Sequence, residues 1–304
     1  MEKRAEIDNP DNSRKLIEID PSAGFCFGVE KAISTAEEML SRGEVVFGLG
    51  AMVHNEEETG RLNQQGLKTI STDDFAGIAP ARVIFRAHGE PPSTYKKAKE
   101  NGIEIIDATC PIVTSLQKKI RKRFRALDKE TEQIVIFGKE EHPETVGLMG
   151  QTNGEAVLVT DPEETAQVDT AKKIYLYSQT TMDPDQFIKL EERLREIAGV
   201  SECTGMVANC SICNQMKRRK PDLKKFALKH DLMIFVSGSA SSNGKMLFGY
   251  CKKQNSNSHW IHSVEEIDPA WVQTEGSIGI SGATSTPLWQ LEQVKAHLES
   301  LIID

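Results

Sequence analysis

The same order of motifs returns three times along the chain, and few folds accommodate such a recurrence. A cysteine opens each set. A strand-like apolar run ending in "FGLG", "FGKE" or "VSGS" follows, and then a second run ending in "RAHG", "SQTT" or "SGAT". Helical spacing of apolar residues follows the runs, as in "RKLIEIDPSAGFCFGVEKAISTAEEML" and "IEIIDATCPIVTSLQKKI". Strands that alternate with helices form parallel βαβ units. Their grouping in threes predicts an α/β protein of three similar subdomains, with mainly parallel sheets, arranged about a pseudo-threefold axis. The expected boundaries are a polar tail over 1–15, a first subdomain over 16–110, a second over 111–205, and a third with the C-terminal segment over 206–304.

Open α/β sheets bind ligands outside the carboxyl ends of their strands, and the chemically interesting residues here sit at such ends. Cys110 lies between an isoleucine-rich strand and a helix that Pro111 starts well, since its missing N–H would have had no partner there. A helix N-terminus favours the anionic thiolate. If the subdomains face one another, Cys26, Cys110 and Cys210 converge. Three thiolates suit a soft metal or an iron–sulfur cluster. A structural zinc site closes with four ligands, often as local Cys-x-x-Cys pairs, and Cys26 and Cys110 belong to no such pair. A 4Fe-4S cluster on three cysteines would keep one iron open to a substrate oxygen. Six cysteines in 304 residues are too few for a disulfide scaffold, and Cys203 and Cys251 read as bystanders.

Around that point the strand exits present His54, His88 and His142, then Thr180, then Ser241, Ser242 and Asn243, then Ser285. With helix N-termini, such donors make a site for a phosphate or diphosphate. "SASSNGK" is not a phosphate-binding P-loop. Glu144 follows His142 by two residues on the lip of a strand exit, where a carboxyl beside a dry metal centre delivers protons. Glu140 and Glu141 read as solvated loop residues.

A formal net charge of −8 argues against non-specific nucleic-acid binding, which needs a basic face. The basic run "KKIRKRFRALDK" reads as a solvated helix face. No stretch reaches the roughly 20 apolar residues that cross a bilayer, so no membrane partner is expected. The first fifteen residues are polar and lack the apolar core of a signal peptide, which reads as a solvated tail on a cytoplasmic protein.

Taken in order, "GFCFGV", "MVHN", "AHG", "DATCPIVT", "HPETVGLMG", "SQTT", "SGSASSN" and "GATSTP" resemble the 4-hydroxy-3-methylbut-2-enyl diphosphate reductase family over roughly residues 20 to 295. The resemblance implies three α/β domains around a central 4Fe-4S cluster ligated by Cys26, Cys110 and, by motif position, Cys210. It implies a diphosphate held by His54, His88, His142, Ser241, Ser242, Asn243 and Ser285, and an alcohol oxygen at the open iron. Glu144, His142 and Thr180 would be catalytic, Glu144 relaying protons while Thr180 positions it. Two electrons would come from a ferredoxin- or flavodoxin-type donor, water would leave, and isopentenyl and dimethylallyl diphosphate would form. The third cysteine region departs from the family's Cys-x-x-Thr-x-x-Arg-Gln: it reads "CSICNQMK", with Cys213 as a competing thiol one helical turn beyond Cys210. Gly244 also follows Asn243 where serine is usual. The altered region motivates an alternative, a non-catalytic iron–sulfur redox or iron sensor on the same fold. A zinc-stabilised structural protein is disfavoured by the scattered thiols.

Overall fold

The computed structural model describes residues 16–198, 205–272 and 276–303. The expected tail over 1–15 and Cys203 lie outside the described residues. Among the described residues, twelve strands form three four-stranded parallel sheets. The first subdomain sheet holds β2 (Val46–Leu49), β3 (Lys68–Ile70), β4 (Arg82–Phe85) and β5 (Glu104–Asp107). The second holds β6 (Glu132–Phe137), β7 (Val157–Val159), β8 (Lys173–Ser178) and β9 (Met206–Ala208). The third holds β10 (Leu232–Val236), β11 (Ser258–Ile261), β12 (Ile278–Gly282) and, from the other end of the described chain, β1 (Ile17–Ile19).

Taking β1 as the last member of its sheet, all three share one order: second, first, third, fourth. The two inner strands of each sheet are near-continuous apolar runs, as parallel strands covered on both faces must be. All five residues of β10 and of β12 are buried, while the edge strands β1, β3 and β9 are three residues long and mixed.

The helices are α1 (Phe27–Ser41), α2 (Glu56–Gln64), α3 (Phe75–Ile78), α4 (Pro92–Glu100), α5 (Pro111–Arg125), α6 (Pro143–Met149), α7 (Pro184–Ala198), α8 (Asn214–Ala227), α9 (Ser242–Gln254) and α10 (Leu288–Ile303). Proline opens α5, α6 and α7, where its fixed φ suits the first turn. Helix α1 buries Ala32, Ile33 and Ala36 with Val46 and Ile84 of the first sheet. Helix α5 buries Leu116 and Ile120 with Ile134 and Ile136 of the second, and α8 buries Leu223 and Phe226 with Met233 and Phe235 of the third. Each fully buried Leu, Ile or Phe contributes about 1.5–3 kcal/mol.

Sheet membership therefore differs from the expected boundaries at two strands. Residues 16–110 include β1, which pairs with β12 through Ile17↔Ile278 and Ile19↔Ile280. Strand β9 begins at 206, inside the expected third subdomain, yet pairs with β8. The physical reason is one arrangement repeated three times: the fourth strand of one sheet leads through a cysteine-bearing turn into the first helix of the next. β1 leads to α1, β5 to α5 and β9 to α8, so three junctions close a ring of subdomains.

Candidate active site

In a sheet of this order, the crevice opens where the connections from the first and third strands depart in opposite directions. Those exits are after β2 and β4, after β6 and β8, and after β10 and β12. They deliver His54 and His88, then His142, Glu144 and Thr180, then Ser241, Ser242, Asn243 and Ser285. All nine line one cavity of about 320 Å³.

The junction turns supply the thiols. Cys26, Cys110 and Cys213 each occupy the position immediately before a helix, α1, α5 and α8 respectively. Each donates its backbone N–H to the exit of a third strand: Cys26 to Thr284 O at 3.4 Å, Cys110 to Ala87 O at 3.0 Å, and Cys213 to Thr180 O at 3.0 Å. All three line the cavity. Cys210, the expected third thiol, is exposed and is not part of the lining. It precedes α8 by four residues, whereas the cysteines of the other two junctions directly precede their helices. Cys210 and Cys213 differ in their distance to the helix start, which the cysteine spacing alone does not state. Thr181, Asn214, Gln215 and Thr284 also line the cavity and were not singled out in the sequence. Cys251 is buried in the third subdomain's core, as a bystander would be.

The thiols are close enough to feel one another. Burial pushes the Cys26 thiol up, backbone N–H groups of Val29 and Gly28 oppose this, and a Cys110 thiolate raises it further. Burial likewise pushes Cys213 up, with the Met216 N–H opposing and a Cys26 thiolate adding to the rise. A β-carbon at Gly28 would lie 2.8 Å from Cys110 Sγ, so α1 passes directly against that sulfur.

Opposite, three imidazoles cluster with ring centroids 5.2 to 5.5 Å apart. Burial drives all three basicities down, His142 to about 3 and His88 well below the usual range; Arg86 adds to the effect at each ring, neighbouring rings add to it at His88 and His142, and Glu56 opposes it at His54. The rings are neutral near pH 7 and each keeps one N–H donor. Beside them Ser241 Oγ and Ser285 Oγ lie 3.2 Å apart, and Asn243 Nδ2 donates to Thr284 Oγ1 at 2.7 Å. His54 Nε2, His88 Nδ1 and Asn243 Oδ1 are buried without a hydrogen-bond partner. Buried polar atoms left unpaired cost about 1–3 kcal/mol each, and a bound polar group relieves that cost.

Glu144 is 1% exposed. Its Oε1 accepts from the Thr180 N–H at 2.6 Å and its Oε2 accepts from Thr180 Oγ1 at 2.9 Å. Burial raises its pKa to about 7 against these two bonds, which favour the anion. A carboxyl poised near neutrality is a competent general acid.

The three imidazoles can also ligate a cation, their ring nitrogens lying within 4.8 Å of one another. The neighbouring donors and the start of α9, capped by Ser241 Oγ accepting from Gly244 N–H at 3.0 Å, favour an anion instead. The three cysteines suit iron–sulfur ligation: they are soft donors from three equivalent junctions, and backbone N–H groups at the starts of α1 and α8 stabilise the Cys26 and Cys213 thiolates.

A family model described as LytB protein matches residues 17–299. The 4-hydroxy-3-methylbut-2-enyl diphosphate reductase of Bacteroides thetaiotaomicron is 49% identical over 288 residues, covering 95% of this chain and 99% of the relative. That of Porphyromonas gingivalis is 44% identical over 290 residues, covering 94% and 99%. Among solved structures, the E-1-hydroxy-2-methyl-but-2-enyl-4-diphosphate reductase from Plasmodium falciparum superposes with a TM-score of 0.80 at 26% identity, covering 93% of this chain and 87% of that one. A structure of (E)-4-hydroxy-3-methyl-but-2-enyl diphosphate reductase, described as the terminal enzyme of the non-mevalonate pathway, gives 0.70 at 32% identity, covering 94% and 100%.

Proposed function

This chain belongs to the LytB family, an oxidoreductase family of 4-hydroxy-3-methylbut-2-enyl diphosphate reductases, and we propose that its cavity removes the hydroxyl of that allylic diphosphate with two electrons to give isopentenyl and dimethylallyl diphosphate. The observation that carries the reading is the meeting, in one cavity, of three junction thiols and a buried carboxyl whose pKa is about 7. Cys26, Cys110 and Cys213 would hold a 4Fe-4S cluster. When bound, such a cluster supplies single electrons and Lewis-acidic iron, which side chains lack.

The remaining chemistry belongs to the chain. His54, His88, Ser241, Ser242, Asn243 and Ser285 bind the diphosphate, and the buried unpaired atoms of His54, His88 and Asn243 support that role. His142 Nδ1 accepts from the Glu144 N–H at 3.2 Å, which orients the ring and the start of α6 together. Val53 and Val113, both buried, give the hydrocarbon an apolar wall. The net reaction consumes two electrons and two protons and releases one water. Glu144 delivers a proton to the departing hydroxyl, and Thr180 Oγ1, donating to the ionised carboxylate, holds it aimed until it is reprotonated. The electrons come from a ferredoxin- or flavodoxin-type protein. No helix among the described residues is long and apolar enough to cross a membrane.

Iron and sulfide are measured first under anaerobic conditions, followed by turnover of the allylic diphosphate with a chemical reductant. Cys213→Ser is expected to lose iron and activity, whereas Cys210→Ser keeps both. The opposite pattern returns the third ligand to Cys210. The Glu144–Thr180 pair favours catalysis over a sensor, and a strain deleted for its own reductase separates them: an enzyme restores growth and a sensor does not.

A further inference from the structure

We infer that Glu56 is a positioning residue that latches the His54 loop of the first subdomain to the serine loop of the third, and so sets the spacing of the two halves of the anion cradle. The inference rests on the diphosphate reading of the cavity. Glu56 opens α2, two residues after His54. Its Oε1 accepts from Ser239 Oγ at 2.6 Å and its Oε2 accepts from the Ser239 N–H at 3.2 Å, across 183 positions of sequence. Ser239 lies on the exit of β10, two residues before Ser241.

The two backbones approach as closely as a glycine allows. A β-carbon on Gly238 would lie 2.5 Å from both Glu56 Oε2 and His54 O, and 2.8 Å from Asn55 Cα. On either side of Glu56 the same segment grips the third subdomain again. Asn55 Nδ2 donates to Gln290 Oε1 at 2.9 Å, and Glu58 Oε2 accepts from Trp289 Nε1 at 2.8 Å. Burial works against ionising Glu56, but the bonds from Ser239 and Ala240 and its own N–H hold its carboxyl below the usual range.

A carboxylate here has two opposed effects on an anion in the cradle. Its charge repels the anion. Its bonds fix His54 against Ser241, Ser242 and Asn243, so donors from two subdomains are already spaced for a two-phosphate ligand, and less ordering is needed on binding. The double grip on Ser239, with the glycine-tight approach beside it, points to preorganisation as the larger effect. Removing the side chain then weakens binding, although it also removes a negative charge.

The test is calorimetric titration of inorganic diphosphate into cluster-loaded enzyme. Glu56→Ala is expected to weaken diphosphate binding about tenfold, the scale of one charge-assisted hydrogen bond, and to raise KM alike while kcat stays within about twofold. The melting temperature stays near that of the parent because Glu56 lies at the surface end of α2. Glu56→Gln, which keeps one acceptor, falls between the two. Ser239→Ala weakens binding less, and combined with Glu56→Ala it adds nothing, since both act through one contact. Equal or tighter binding by Glu56→Ala overturns the latch. A parent enzyme that does not bind inorganic diphosphate overturns the diphosphate reading itself, and the latch with it.

Discussion

Glu144 is useful only while the fold keeps its proton available. Burial raises its pKa from 4.5 to about 7, so it is protonated below pH 7 and ionised above. As the proposed acid, it makes turnover fall as pH rises through about 7. Glu144→Gln is expected to lower turnover by about 10²-fold or more and to abolish that alkaline limb in whatever activity remains; a variant whose profile runs parallel to the parent's removes Glu144 from the mechanism. Stability has the same sign. A group whose folded pKa is raised contributes stability that is complete below pH 4.5 and lost as pH rises through 7, with an upper scale on the order of 3 kcal/mol. A glutamine never ionises, and its amide can satisfy both Thr180 bonds, so Glu144→Gln should melt higher than the parent at pH 8 and close to it at pH 5. Glu144 could be found in the sequence because a strand exit is a short-range pattern. Cys213 is visible there only as a competitor of Cys210, because two cysteines three residues apart look alike in the sequence, and only the start of α8 separates an exposed thiol from one that lines the cavity.

At the level of elements, the alternation of strand and helix and its threefold grouping were legible, because buried parallel strands read as apolar runs. Membership of β1 and β9 was not. Each is a three-residue edge strand, and nothing in "IEI" or "MVA" states which sheet it joins. That information lies in the pairing of Ile17 with Ile278, remote in sequence. The cysteine-capped helices carry a further constraint that spacing alone does not reveal. Helix α1 must pass Cys110 so closely that its second residue has no side chain: a β-carbon on Gly28 would lie 2.8 Å from Sγ and 2.9 Å from Cβ of Cys110. Gly28→Ala should therefore displace Cys110 at an overpacking cost of about 1–3 kcal/mol. Iron retained per chain after reconstitution should fall by more than the melting temperature alone would suggest. Full iron content in that variant would mean the sulfur moves aside freely.

The three subdomains form a closed ring only because the chain returns to its beginning: β1 completes the third sheet and leads directly to Cys26. Beyond β1, Asp20 and Ser22 receive the buried Arg219 guanidinium, which donates to Asp20 Oδ2 at 2.7 Å and to Ser22 Oγ at 2.5 Å, and also to Ser281 Oγ and Gly282 O. Arg219 is 1% exposed and sits on α8, whose first turn Cys213 caps. One cation thus joins the approach to Cys26, the exit of β12 and the helix behind Cys213, so two proposed cluster ligands depend on the same closure. Ile17 anchors that closure, packed with Leu232, Ile278 and Leu298. Ile17→Ala should cost about 2–4 kcal/mol through the lost methyl groups and the space they leave. The loss falls on a three-residue edge strand rather than on a central one, so local opening at β1 should precede global unfolding. In a urea titration of cluster-loaded protein, cluster absorbance should then disappear at a lower midpoint than helical circular dichroism in Ile17→Ala, while the parent keeps the two together. If the midpoints coincide in the variant as well, β1 and the remaining sheets unfold as one unit, and the ring has no weak closure.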